Sequence, residues 1–241
     1  MVSDVEIQVF FGTENFQKEE NINVRRTTWK DGQDIIRINP AHEGEPYQLG
    51  IPLELAESFC KHGNWMMQLE LERLLLPFER VILHASAVIY QGQAYVFTAP
   101  SGTGKSTQAD IWNRELGAEI MNGDKVVISV KDGKCIAYGS PVAGSSGIYK
   151  NIEAPIAAII QLQQSDMNMI VQASKVSEYF ALYSGMVKSS YDSGFNQRLL
   201  PCIEKILQRV PVLTLACRPE REAAECVLKW MQFNASQGEC K

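Results

Sequence analysis

Short runs rich in β-branched and aromatic residues, separated by polar turns, occupy the first part of the chain: residues 5–11, 23–29 and 34–39, the last two joined across Asp31-Gly32. This pattern predicts an antiparallel meander. Pro40, Gly44, Pro46, Gly50 and Pro52 then interrupt any regular period, and helical spacing follows over 53–62 and over 65–78, where Pro77 marks the end. From residue 81 the pattern becomes strand, tight turn, strand, with 81–90 and 94–98 flanking Gln91-Gly92. A helix over 105–115, closed by Gly117, comes next, then an extended stretch at 119–121 and a hairpin of 126–130 with 135–138 around Asp132-Gly133. Apolar spacing predicts further strands at 156–162 and 210–215 and helices at 176–183, 199–208 and 220–231. The chain reads as mixed α/β with a β-rich start.

Composition removes several function classes. The 28 acidic and 23 basic residues of the 241 leave a net charge of −5, which offers no broad field attractive to nucleic acid or anionic lipid. Cysteines at 60, 135, 202, 217, 226 and 240 form no C-x-x-C pair and have no histidines at metal-ligand spacing, so they read as thiols of a reducing compartment. No stretch approaches the roughly 18 apolar residues of a membrane span. The first residues lack the basic flank and apolar run of a signal peptide. A cytoplasmic protein without nucleic-acid or membrane partners is expected.

The chemistry concentrates after the strand at 94–98. It runs directly into Ala99-Pro100-Ser101-Gly102-Thr103-Gly104-Lys105-Ser106-Thr107, and a helix begins near Lys105. Strand, glycine-rich turn and helix in that order form a phosphate-binding loop: Gly102 and Gly104 let backbone N–H groups face one anion, and the helix aims its positive end there. Lys105 is expected to project into solvent-filled phosphate space against the β- and γ-phosphates of ATP, and the Ser106 hydroxyl to ligate Mg²⁺. Ser101, Thr103 and Thr107 complete the set, with Thr107 supporting the first turn. Ala99 stands where the usual pattern has glycine. Pro100 biases its predecessor toward extended backbone, so a methyl group is tolerable there.

Two further residues point to the same place. Period-two alternation puts His84, Ser86 and Val88 on one face of the preceding strand, and hairpin pairing sets His84 near the level of Thr98. A lone strand histidine is ordinarily structural, and the pairing to the phosphate strand is what argues for function. Asp124 follows a short strand and the turn-like Asn122-Gly123. A carboxylate at such a strand end can bind the metal or accept a proton from an attacking hydroxyl, and alternatively can cap its own turn.

The succession His84-Ala85-Ser86, residues 99–107 and Asn122-Gly123-Asp124-Lys125-Val126 resembles HPr kinase/phosphorylase and its relatives in the phosphoenolpyruvate carboxykinase-like superfamily. Residues 138–151 with Ala154-Pro155-Ile156 look like the smaller bacterial HPr-kinase-like proteins of that group. The resemblance implies a central mixed β-sheet with flanking helices over residues 76–241, preceded by a small β-rich and helical region, residues 1–75, suited to substrate or partner binding. It implies ATP-dependent phosphorylation of a hydroxyl, usually a serine, with Lys105 and Ser106 serving phosphate and Mg²⁺, His84 near the transferred phosphoryl and Asp124 the general base. The family pattern has two adjacent aspartates where this chain has Gly123-Asp124. One carboxylate is missing.

A kinase acting on a protein, peptide or small hydroxyl compound is therefore the leading reading. A nucleotide-binding regulatory module, favoured by Gly123, is the alternative, and a metabolite carboxykinase ranks below both. Self-association is left open. The glycine-rich stretch 139–150 reads either as a surface connection or as a segment covering phosphate or acceptor, with Lys150 at its end. Arg198 is a further candidate charge stabiliser, although surface exposure is the default for arginine.

Overall fold

The computed structural model describes residues 6–13, 24–28, 34–38, 45–57, 70–131, 133–142, 144–189 and 192–238, and the chain divides into two compact units, 1–78 and 79–241. Among the described residues, no helix is long and apolar enough to cross a membrane.

The first unit holds a four-stranded sheet of β1 (Ile7–Phe11), β2 (Val24–Thr28), β3 (Asp34–Ile38) and β4 (Tyr47–Ile51) in the order β1-β4-β3-β2. The meander is confined to β2, β3 and β4, which pair antiparallel. β1 lies parallel to β4, correcting the expectation that all the early strands alternate in direction. β4 also forms where prolines and glycines were expected to prevent regular structure. Tyr47, Leu49 and Ile51 alternate onto one face and are buried with Ile35, which stabilises the strand despite Gly50. A short helix α1 (Leu71–Leu75) packs Leu71 and Leu74 on this core. The Asp31-Gly32 turn, and residues 58–62 and 65–69 of the two expected helices, lie outside the described residues, while the first of those helices begins as a 3-10 turn at Leu53–Leu55.

The second unit is a mixed α/β layer around a long sheet. Its strands are β5 (Arg80–Tyr90), β6 (Gln93–Thr98), β7 (Glu119–Asn122), β8 (Lys125–Lys131), β9 (Lys134–Gly139), β10 (Glu153–Gln164), β11 (Met169–Val171) and β12 (Val212–Cys217). β6, β10 and β12 are parallel, whereas β5 and β11 run antiparallel to their neighbours, so the sheet is mixed. β5 and β6 are joined by Gln91 and Gly92, both at positive φ, as the tightest hairpin turns require. β11, three residues long, had no sequence expectation.

Two strands share one side of β5. β8 pairs with it over residues 80–84 and β7 over 87–89, both antiparallel. Together they form a single edge along β5, broken at Asn122-Gly123-Asp124. Helix α2 (Lys105–Leu116) covers the sheet beside α5 (Arg221–Gly238), with α3 (Lys175–Gly185) and α4 (Phe195–Leu207) packed together. Trp112 of α2 is fully buried, its ring centre 4.5 Å from that of Tyr95 and 5.7 Å from that of Phe97. An indole of this size supplies roughly 2–3 kcal/mol of burial and fixes α2 against β6.

Between β9 and β10 the chain loops out and returns beside β7. Lys150 N donates to Met121 O at 2.9 Å and Gly123 N to Ile148 O at 3.1 Å. The return passes so close to Gly139 that a Cβ there would stand 1.9 Å from Lys150 O. Gly139→Ala is therefore expected to destabilise the protein by about 3 kcal/mol, the upper range for overpacking, seen as a lower urea midpoint. An unchanged midpoint would show that this approach does not fix the loop's path.

Candidate active site

β6 ends at Thr98 and the chain turns through residues 99–104 into α2. Gly102 and Gly104 take φ of 80° and 115°, which side-chain-bearing residues rarely adopt, while a Cβ at either would meet nothing within 4 Å. Glycine is needed for the backbone path, not for space. Ala99 is not among the described residues of positive φ, in keeping with the restriction from Pro100. The first helical bond runs from Gln108 N to Gly104 O at 2.9 Å, so the preceding N–H groups of the first turn have no helical carbonyl to bond.

Lys105 departs from expectation. It is 7% exposed rather than standing in open space, and its Nζ donates to Ala99 O at 2.9 Å and Pro100 O at 3.3 Å. Burial lowers its pKa, opposed by the charge of Asp124. The first turn of α2 is held from beneath by fully buried Ser86, whose hydroxyl donates to Lys105 O at 2.7 Å. This explains the polar residue in an otherwise apolar stretch of β5.

The facing wall is made by the break between β7 and β8. Asn122 is fully buried, and its Oδ1 accepts from Asp124 N and Lys125 N, both at 2.8 Å, while its Nδ2 donates to Ser140 O at 2.6 Å. Ala85 N donates to Asp124 O at 2.9 Å, tying the break to β5. His84 lies one residue beyond Ala85, the partner of Thr98. Its Nε2 is 3.2 Å from Asp124 Oδ1, and Lys125 Nζ is 3.1 Å from Oδ2. These contacts, the His84 bond foremost, lower the Asp124 pKa from 3.8 to about 2 against the opposing effect of burial. Asp124 is an anion across the neutral range.

Between the two walls lies a cleft of about 290 Å³. Ser101, Gly102, Gly104, Lys105, Ser106 and Thr107 line one side, and His84, Gly123 and Asp124 the other. Of the residues singled out from sequence, Thr103 does not line it; its N–H closes the turn onto Pro100 O at 3.3 Å. Lys150 is outside, paired with Glu119 at 2.7 Å at the far end of β7. Arg198 is also outside and pairs with Asp192. The 139–150 stretch does reach the site, because a Cβ on Gly144 would stand 2.8 Å from Asp124 Cβ. Ser86, Asn122 and Lys125 are supporting residues to which sequence reasoning gave no role. The signal available was Asn122-Gly123-Asp124, an Asx-turn sequence read only for its aspartate.

The Asp124 carboxyl titrates near 3.8 when unfolded and near 2 in place, so its stabilisation is complete above about pH 4 and disappears as pH falls through about 2. Asp124→Asn is expected to melt below the parent chain at neutral pH, with the gap closing as pH falls from about 4. A gap constant over that range would show that the carboxylate's contacts do not stabilise the fold.

No family model matches the chain, and no curated protein matches it. Among solved structures it is similar to the HPr(Ser) kinase/phosphatase from Coxiella burnetii, at 14% sequence identity and a TM-score of 0.38, over 65% of this chain and 96% of that one. A likeness at this level bears on neither the site nor the reaction.

Proposed function

We propose that the protein is a kinase that transfers the γ-phosphoryl group of ATP to a hydroxyl, most readily a serine of a protein or peptide. The observation that carries this reading is the facing of a glycine-rich helix start and an anionic carboxylate across one cleft. Backbone N–H groups of residues 102 and 104–106 and the positive end of α2 suit the β-phosphate, and Lys105 needs to leave the Ala99 and Pro100 carbonyls to reach it.

Mg²⁺ fits the donors present. Among the described residues no group of three or more histidine, cysteine, aspartate or glutamate side chains gathers to hold a metal. Ser106, on the cleft, would supply one protein oxygen, and Mg²⁺ characteristically takes few protein ligands and several phosphate or water oxygens. When bound, it neutralises charge on the phosphate oxygens.

The chain's own groups account for the rest. Asp124, held anionic by His84 and Lys125, orients the acceptor hydroxyl and takes its proton as the new O–P bond forms. The bond from the γ-phosphorus to the β–γ bridging oxygen breaks, and ADP leaves. His84, whose Nε2 bonds Asp124 Oδ1, keeps that carboxylate in register and would have to give up this bond to donate to the transferred group. A nucleotide-binding module without transfer is the second reading. Gly123 lines the cleft where a second carboxylate would stand, which is the feature favouring it.

Transfer from γ-labelled ATP to serine-containing peptides and free serine separates the two. Asp124→Asn is expected to retain Mg²⁺·ATP binding and lose about 10²-fold or more in transfer. Lys105→Ala is expected to lose a similar factor. Full transfer by Lys105→Ala would sink the phosphate-site assignment. Loss of nucleotide affinity by Asp124→Asn in step with Lys105→Ala would make Asp124 a metal contact instead of the base. Absence of label on any acceptor, with slow ATP hydrolysis alone, favours the module.

A further inference from the structure

The cleft has a direction. At the level of Thr98 the sheet runs through Asp124, Ala85, Thr98, Gln161 and Thr214: Ala85 N bonds Asp124 O, Ala85 pairs with Thr98, and Gln161 pairs with both Thr98 and Thr214. The glycine-rich loop leaves from the middle of this row. Asp124 and His84 stand on one side of it only. A phosphate chain whose terminal phosphoryl faces Asp124 therefore leads its other end toward β10 and β12. These strands run parallel to β6 and continue beyond this level to the Gln164–Cys217 pair. The carboxyl ends of parallel strands are where open α/β sheets receive ligands.

The ends of β10 and β12 form a braced shelf. Asn168 Oδ1 accepts from Arg218 N at 2.8 Å, and its Nδ2 donates to Glu220 Oε1 at 2.6 Å. Ser165 N donates to Cys217 O at 3.2 Å. Gln108, the residue after cleft-lining Thr107, is 2% exposed, and its Nε2 donates to Arg218 O at 3.4 Å. That bond ties the shelf to the first turn of α2. On this frame Met167 and Arg218 stand in solvent beside the fully exposed Asp166. Met167 is 62% exposed, and Arg218, with a half-exposed side chain, has its ion-pair partner Asp166 at 4.0 Å. A pair of that length between exposed groups holds the guanidinium weakly.

We propose that this shelf receives the nucleoside of the bound nucleotide, with the Arg218 guanidinium against a purine face and the Met167 thioether beside it. A planar cation and a polarisable sulfur both favour the face or edge of an aromatic base. The inference rests on reading residues 99–107 as the phosphate site, and the test keeps the two apart.

Calorimetric titration compares Mg²⁺·ATP with Mg²⁺·tripolyphosphate, which keeps the phosphate chain and lacks the nucleoside, on the full chain and on Arg218→Ala. The parent is expected to bind ATP more tightly than tripolyphosphate. Arg218→Ala is expected to lose about three- to tenfold in ATP affinity with tripolyphosphate binding unchanged. Equal parent affinity for the two probes, unchanged ATP affinity in Arg218→Ala, or an equal loss for both probes overturns the shelf and leaves the phosphate site standing. Failure of the parent to bind either probe overturns the phosphate site and the shelf with it.

Discussion

The site depends on a break in one strand. β7 and β8 would form an uninterrupted edge along β5 if the pairing ran through residues 122–124, and Asp124 would then be one more residue of a ladder. Breaking the ladder releases backbone N–H groups, and each left without an acceptor inside the protein costs about 1–3 kcal/mol. Asn122 removes that cost for two of them, at Asp124 and Lys125, with a single carbonyl oxygen. Its amide nitrogen is fixed in turn by Ser140, whose hydroxyl donates to Lys125 O at 2.7 Å. The carboxylate is thus positioned by buried groups that never touch the cleft.

The opposite wall follows the same logic. Positive φ at Gly102 and Gly104 sets the loop, and buried Ser86 anchors the helix start from the neighbouring strand. His84 and Ser86 share one face of β5, so a single strand contributes a group to the cleft and a group that supports it. Lys105 rests on two carbonyls of its own loop. Those bonds take two of its three ammonium protons, and a phosphate chain would compete for it directly.

The sequence was most readable where local rules act alone. Strand, glycine-rich turn and helix around residues 93–116 follow from β-branched content, glycine placement and helical spacing, as does the Gln91-Gly92 hairpin that sets His84 beside Thr98. Long-range pairing was not readable. β1 joins β4 in parallel, and no local pattern distinguishes that from a meander. β4 forms between Pro46 and Pro52 despite Gly50, because burial of Tyr47, Leu49 and Ile51 outweighs the weak strand preference of glycine. At the site, Gly144 could not be assigned from sequence, since its contact with Asp124 depends on the return of residues 148–150 beside β7. Lys150 and Arg198 looked available as cations, and their neighbours Glu119 and Asp192 claim them.

A crystal structure with Mg²⁺ and a non-hydrolysable ATP analogue would show whether the two walls hold one phosphate chain between them. The β-phosphate is expected within about 3 Å of the N–H groups of residues 102 and 104–106, with Lys105 Nζ moved from Ala99 O onto phosphate oxygen and the γ-phosphate facing Asp124 and His84. A nucleotide bound elsewhere, or bound here with Lys105 still on Ala99 O and its γ-phosphate turned away from Asp124, would contradict that arrangement.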